Sequence, residues 1–142
     1  MFKPVAAMLG LVMLIATPVL AQASTDANKR AVQQLLTAFN QHDSQTIGRL
    51  LSDDVQWLAI EGEGVKPRVT DKEAMLDVVN TFFTECPSCR TELLSIQASK
   101  QRVTTIEKAS WEKAGKPEQQ QSVTVYEFSD GLISRVYYYP AE

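Results

Sequence analysis

The stretch QSVTVYEFSDGLISRVYYY, residues 121–139, decides the fold. Two β-rich runs flank Asp130-Gly131, and a type I′ turn, which needs positive φ at both central residues, favours that pair. With Asp130-Gly131 as a two-residue turn, regular pairing sets Glu127 against Ser134, Val125 against Val136 and Val123 against Tyr138. Side chains alternate along a strand. One face then collects Val123, Val125, Glu127, Ser134, Val136 and Tyr138, the other Thr124, Tyr126, Phe128, Ile133, Arg135 and Tyr137. Both faces carry apolar bulk, so both should be covered, one by helices and one by a partner or ligand.

Working outward, the hairpin strands Gln119–Phe128 and Ile133–Tyr139 follow a strand over Arg102–Trp111, and Arg90–Ser99 precedes it with Leu94, Ile96 and Ala98 on one side. Further back, Thr70-Asp71-Lys72-Glu73 has the form of a capping box with Thr70 as the cap. The helix it opens puts Met75, Val78, Val79, Phe82 and Phe83 on one face. It should stop near Glu85, since Pro87 cannot continue it. Glu61–Val69, with Gly62, Gly64 and Pro67, reads as a loop, and Val55–Ile60 as a first strand. Before it, Val32, Leu35, Leu36 and Phe39 form the apolar stripe of a helix over Ala27–His42, capped by Thr25 or Asp26. Asp43-Ser44 starts a short second helix through Ile47, Leu50 and Leu51, which Ser52-Asp53-Asp54 ends. The expected architecture is α+β: a cone-shaped, strongly bent antiparallel sheet packed against three N-terminal helices.

The N-terminus stands apart. Lys3 precedes an apolar run over Val5–Ala16, and Val19-Leu20-Ala21-Gln22-Ala23 offers small residues for cleavage after Ala21 or Ala23. Residues 1–23 read as a signal peptide and 24–142 as one exported domain, secreted or periplasmic. The run falls short of the roughly 20 residues that cross a bilayer, so no membrane partner is expected after cleavage. Hydrophobic residues make up 44% and charged residues 22% of the chain, which excludes disorder; a net charge of −3 without a basic stretch excludes a phosphate-binding role on nucleic acid.

Two stretches resemble the nuclear transport factor 2-like superfamily in its SnoaL-like branch. Ala38-Phe39-Asn40-Gln41-His42-Asp43, continued by Leu50-Leu51-Ser52-Asp53-Asp54-Val55-Gln56-Trp57, is similar to that family's first helix, Asp-capped second helix and first strand. Val125-Tyr126-Glu127-Phe128-Ser129-Asp130-Gly131-Leu132-Ile133 is similar to its last hairpin. The resemblance covers Thr25–Pro140 and implies a cone-shaped pocket between helices and sheet, and often a dimer across the sheet's outer face. Members include enzymes, binding proteins and scaffolds, so fold does not give function. The chain lacks a His/Asp pair of the kind the family's polyketide cyclases use. It also lacks the Asp-Arg-Asp set of the family's epoxide hydrolases, with Tyr138 standing where that pattern wants an acid.

Candidate chemistry is therefore sparse. His42, the single histidine, sits at a helix end, where a cation complements the dipole, and a solvated His42 is favoured over a catalytic one. No cofactor and no metal site is expected. Glu107 and Glu127 are the carboxylates set deepest in strand patterns. In an enzyme, Glu127 would be the base and Tyr138 the oxyanion donor on the same face, provided both open into one cavity. A ligand pocket for a small apolar or aromatic molecule would be lined by Trp57, Glu107, Trp111, Val125 and Val136; for either glutamate a solvated strand position is the plainer alternative. Cys86-Pro87-Ser88-Cys89 follows a helix C-terminus, where the dipole opposes a thiolate, so a disulfide is favoured over a thiol redox centre. The face with Tyr126, Phe128, Ile133, Arg135 and Tyr137 is assigned to a homodimer interface.

Overall fold

The structure is a computed structural model and describes residues 18–140, with side chains from Gln22 onward. The apolar run Val5–Ala16 lies outside the described residues. Helices α1 (Pro18–Asn40) and α2 (Ser44–Leu50) lead into strands β1 (Leu51–Glu61) and β2 (Gly64–Val69). Helix α3 (Lys72–Glu85) follows, then β3 (Arg90–Ala98), β4 (Arg102–Lys113), β5 (Lys116–Ser129) and β6 (Leu132–Tyr139). The six strands form one curved, unclosed sheet in the order β2-β1-β6-β5-β4-β3, an α+β cone with the helices on its concave side.

The sheet is mixed rather than antiparallel throughout, because β1 runs parallel to β6. A parallel pair needs a long crossover, and here everything from β2 to β5 supplies it. The segment expected as a loop contains β2, joined to β1 by the two-residue turn Gly62-Glu63. Its Pro67 misled the reading of the sequence; an edge strand has no outer neighbour awaiting that missing N–H. Helix α1 does not begin at Ala27. Leu20, Ala21, Gln22 and Ala23 are strong helix formers and carry the helix through Thr25 and Asp26, so neither is its cap. The cap of α3 is Asp71, one residue later than Thr70; its carboxylate accepts from the Ala74 N–H at 2.8 Å. The helix ends at Glu85 as expected.

Asparagines hold α1 to the edge strand β3. Asn40 Nδ2 donates to the Thr91 carbonyl and its Oδ1 accepts the Thr91 N–H, both at 2.8 Å, so one side chain replaces the missing neighbouring strand. At the other end Asn28 Nδ2 donates to the Lys100 carbonyl at 3.3 Å. Asp43 caps α2, accepting from the Thr46 N–H at 2.9 Å. His42 follows the end of α1 and is half-buried. It takes a left-handed backbone, φ 56°, and stacks on Phe83 with ring centroids 4.5 Å apart.

The core is built from Val32 and Leu36 of α1, Ile47, Val55, Met75, Val103 and, from the last hairpin, Tyr126, Phe128 and Ile133. That last trio was assigned to the outer face. The Asp130-Gly131 turn forms with positive φ at both residues, and Phe128 pairs with Ile133. The register then slips by one, so that Glu127 opposes Arg135, Tyr126 opposes Val136 and Thr124 opposes Tyr138. Ser134 is the extra residue of this β-bulge, its Oγ 3.3 Å from the Glu127 carbonyl. One inserted residue rotates everything after it. Val136 and Tyr138 turn inward with Thr124 and Tyr126; Arg135 and Tyr137 turn outward with Glu127 and Val125.

Candidate functional site

Strands β4 and β5 are joined by Ala114-Gly115, both at positive φ, a two-residue turn that sets Val103 opposite Tyr126, Thr105 opposite Thr124 and Glu107 opposite Ser122. Alternation sends Thr105, Glu107, Thr124 and Tyr126 to the concave face, where all four are buried. Glu107 Oε1 accepts two hydrogen bonds, from Thr105 Oγ1 at 2.5 Å and from the Tyr126 hydroxyl at 2.8 Å. Oε2 accepts none among the described residues. The described side-chain atoms that are both enclosed and unpaired are Ser52 Oγ and Thr124 Oγ1, so Glu107 Oε2, unpaired as well, is not fully enclosed.

Burial pushes the Glu107 carboxyl above the usual glutamate range, and the hydroxyls of Thr105, Tyr126 and Thr124 beside it only partly offset it. Tyr126 is driven well above the ordinary tyrosine range, first by burial and then by the Glu107 charge it faces. No cation pairs with Glu107 in the interior: the ion pairs of the described residues engage Glu61, Asp53, Glu127 and Glu92. A carboxyl in this setting holds a proton at higher pH than a solvated one and can give or take it at Oε2.

The remaining residues named from the sequence divide between the faces. Val136 lies opposite Tyr126 and beside Trp57, both packed against the core. Tyr138 lies inward opposite Thr124; its hydroxyl accepts from Gln120 Nε2 at 3.1 Å, and its ring meets Trp57 edge-on at 6.5 Å. Trp111 sits near the β4–β5 turn, opposite Glu118 and half-buried. Val125 is on the outer face opposite Tyr137, away from these residues.

Glu127 is on the outer face too, and the structure does not bring it together with Tyr138. It accepts from Arg102 Nε at 2.8 Å and from Arg135 Nη1 at 3.2 Å, and the Arg102 bond above all holds its carboxyl below the usual range. The two arginines shield it locally while it remains in the outermost layer of the sheet. It lines an open polar trough of about 500 Å³ with Asp54, Gln56, Arg102, Ser134 and Arg135. A smaller cleft of about 260 Å³ lies between α1 and β3, beside Leu36, Asn40 and Thr91.

Cys86 and Cys89 form a disulfide with Cα atoms 5.4 Å apart, at the corner between α3 and β3. Ser88 Oγ within that loop accepts the Glu112 N–H at 3.1 Å and ties the corner to β4. A disulfide fits an oxidising compartment. Among the described residues no cluster of His, Cys, Asp and Glu could hold a metal ion, and no helix is long and apolar enough to cross a membrane.

Against this geometry, the model of the SnoaL-like domain matches residues 32–136. The chain belongs to the SnoaL-like family. No curated protein matches it. Among solved structures it is similar to Bal32a from a soil-derived mobile gene cassette, at 21% identity over 81% of this chain and 89% of that one, with a TM-score of 0.71. An LEH-like epoxide hydrolase of M. tuberculosis is 21% identical over 82% and 84%, TM-score 0.66. A cystatin-fold protein from Novosphingobium aromaticivorans is 23% identical over 78% and 96%, TM-score 0.68. Identities this low establish the SnoaL-like fold and no shared reaction.

Sequence reasoning missed Thr105, Thr124 and Tyr126 as partners of Glu107. The signal was present in Ala114-Gly115. Taken as a hairpin turn, it fixes the β4–β5 register and puts these residues side by side.

Proposed function

We propose that this SnoaL-like protein is exported and binds a small molecule in the cone, with Glu107 as its polar anchor. The observation that supports this reading is a carboxyl without a countercharge on the concave face: its Oε1 takes Thr105 and Tyr126, Thr124 lies beside it, and Oε2 is not fully enclosed. Trp57, Val136 and Tyr138 supply aromatic and apolar wall on the same face. A thermal-shift screen of small aromatic compounds tests it, since a ligand of the native state alone raises Tm. The expected hit loses its effect in Glu107→Gln and keeps it in Glu127→Gln. Hits indifferent to Glu107, or none at all, overturn the reading.

A second reading is favoured by the elevated Glu107 pKa: cofactor-free isomerase, lyase or hydrolase chemistry with the proton carried on Glu107 Oε2. It replaces the Glu127–Tyr138 pair, which the bulge separates. Here Glu107→Gln abolishes turnover while retaining binding, whereas a pure binding protein has no turnover to lose.

Export rests on the leader-like sequence together with the disulfide. N-terminal sequencing of the mature protein should begin at Gln22 or Ser24, and intact mass should be about two units below that of the dithiol. Assembly belongs to the same proposal. Ile106, Val123 and Tyr139 are exposed in adjacent positions across β4, β5 and β6, and this outer row replaces the set first assigned to a homodimer. Light scattering should give a dimer that Val123→Asp converts to a folded monomer.

A further inference from the structure

The outer trough, about 500 Å³, lies at the Asp130-Gly131 end of the sheet, one row of side chains beyond Val125 and Tyr137 and two beyond Ile106, Val123 and Tyr139. The hydrogen-bonding capacity of its walls is only partly used. Arg102 is pinned through Nε to Glu127 at 2.8 Å, and neither Nη nitrogen makes a hydrogen bond among the described residues. That leaves the end-on fork of the guanidinium, with two parallel N–H donors, on a side chain that is 64% exposed. Gln56 Oε1 accepts from Arg135 Nε at 3.4 Å, so its Nε2 is left to donate. The Asp54 carboxylate lines the same space with no hydrogen bond or ion pair among the described residues. We infer that the trough binds a small hydroxylated monocarboxylate, a sugar acid, with its carboxylate on the Arg102 fork and its hydroxyls on Gln56 and Asp54. This second site is independent of the reading of the cone.

Charge sets the class of ligand. Arg102 and Arg135 are balanced by Glu127 and Asp54, so the ionised groups lining the trough carry no net charge. One negative charge can be brought to the fork, while the two acids repel a second, which disfavours phosphate esters and dicarboxylates. A carboxylate matches the planar fork bidentately. Glu127 already holds Arg102, so less side-chain freedom is lost when a ligand arrives. The walls are amides, hydroxyls and charges, and a ligand must replace the water they bind. Hydroxyls do that; an aromatic molecule of the kind proposed for the cone does not.

Glucuronate and glucose, which differ in a carboxylate against a hydroxymethyl group, test this together with acetate. Each is titrated into the mature protein at neutral pH and low salt, with backbone amide and arginine Nε–H shifts followed by NMR. Glucuronate is expected to move amides around 101–102, 127–129 and 134–135 saturably, and to bind about tenfold or more tighter than glucose or acetate, the margin of charge-assisted hydrogen bonds. Arg102→Gln, on the surface, should weaken glucuronate about tenfold and leave glucose unchanged, whereas Glu107→Gln should alter neither. Glucose binding as tightly as glucuronate refutes the carboxylate contact. Acetate binding as tightly shows arginines that take any anion and refutes the sugar acid. Shifts centred on 105–107 place the ligand in the cone, and no saturation by tens of millimolar leaves no site; either result overturns the inference.

Discussion

Glu107 on β4 and Glu127 on β5 are glutamates of adjacent strands, each accepting two hydrogen bonds, and they are opposites in chemistry. Glu107 faces inward, spends one oxygen on two neutral hydroxyls and has its pKa raised by burial. Glu127 faces outward, spends each oxygen on a different guanidinium and has its pKa lowered by Arg102 before Arg135. The difference is one of face and partner rather than of residue type. A poised carboxyl needs poor solvation without a countercharge, and only the concave side of this sheet provides that.

The inner arrangement should be the more expensive to disturb. Tyr126 is buried to 4% exposure, belongs to the core and donates to Glu107. Tyr126→Ala opens a cavity and removes that donor, so urea denaturation should show a loss of about 3–5 kcal/mol. A loss below about 1 kcal/mol would mean that the interior is loosely packed and that Glu107 is not held there.

Much of this contrast was legible beforehand. The three helices, the Asp130-Gly131 turn and the disulfide followed from Pro87, from the 3.6-residue stripe of α1 and from turn chemistry. The way the faces of β5 and β6 match did not. Ser134 is an ordinary strand residue, and nothing in Ile133-Ser134-Arg135 announces a bulge. Yet the slip it makes in pairing leaves Val136 and Tyr138 on the pocket face and moves Val125 and Glu127 away from them to the outer face, while Tyr126, Phe128 and Ile133 turn inward. The candidate pair Glu127–Tyr138 was lost through that single residue. Glu107 was recognised as a deep strand carboxylate, but its partners come from a register set by Ala114-Gly115, which is a weaker turn signal than Asp-Gly. The parallel β1–β6 pair depends on contacts across most of the chain and leaves no local pattern to read.

The second prediction separates the glutamates by pH. The folded pKa of Glu107 lies above its unfolded value, so its contribution is fully present below the unfolded pKa and is lost as pH rises through the folded one. The wild-type protein should therefore lose stability as pH rises from the unfolded glutamate value, about 4.3, through the raised pKa. Glu107→Gln keeps an oxygen for Thr105 and Tyr126 and cannot ionise. Its stability should be flatter across that window, equal to wild type at the acid end and higher at the alkaline end. Chemical denaturation at a series of pH values measures this, and an unchanged slope would place Glu107 in water.

The smallest effect belongs to Glu127, and its sign is reversed. Its folded pKa is lowered, so the stability it adds is present above the unfolded value, near pH 4.3, and disappears as pH falls through the folded one. The side chains of Arg102 and Arg135 are 64% and 52% exposed, so solvent screens both pairs and Glu127→Gln should cost less than about 1 kcal/mol at neutral pH. Salt sharpens the test. At about 1 M the screening length falls to about 3 Å, which should erase the difference between Glu127→Gln and wild type while leaving the slope due to Glu107 in place, because that group is buried. A Glu127 effect that survives high salt would show its arginine pairs to be covered, as they would be if the outer trough were sealed by a second copy of the chain.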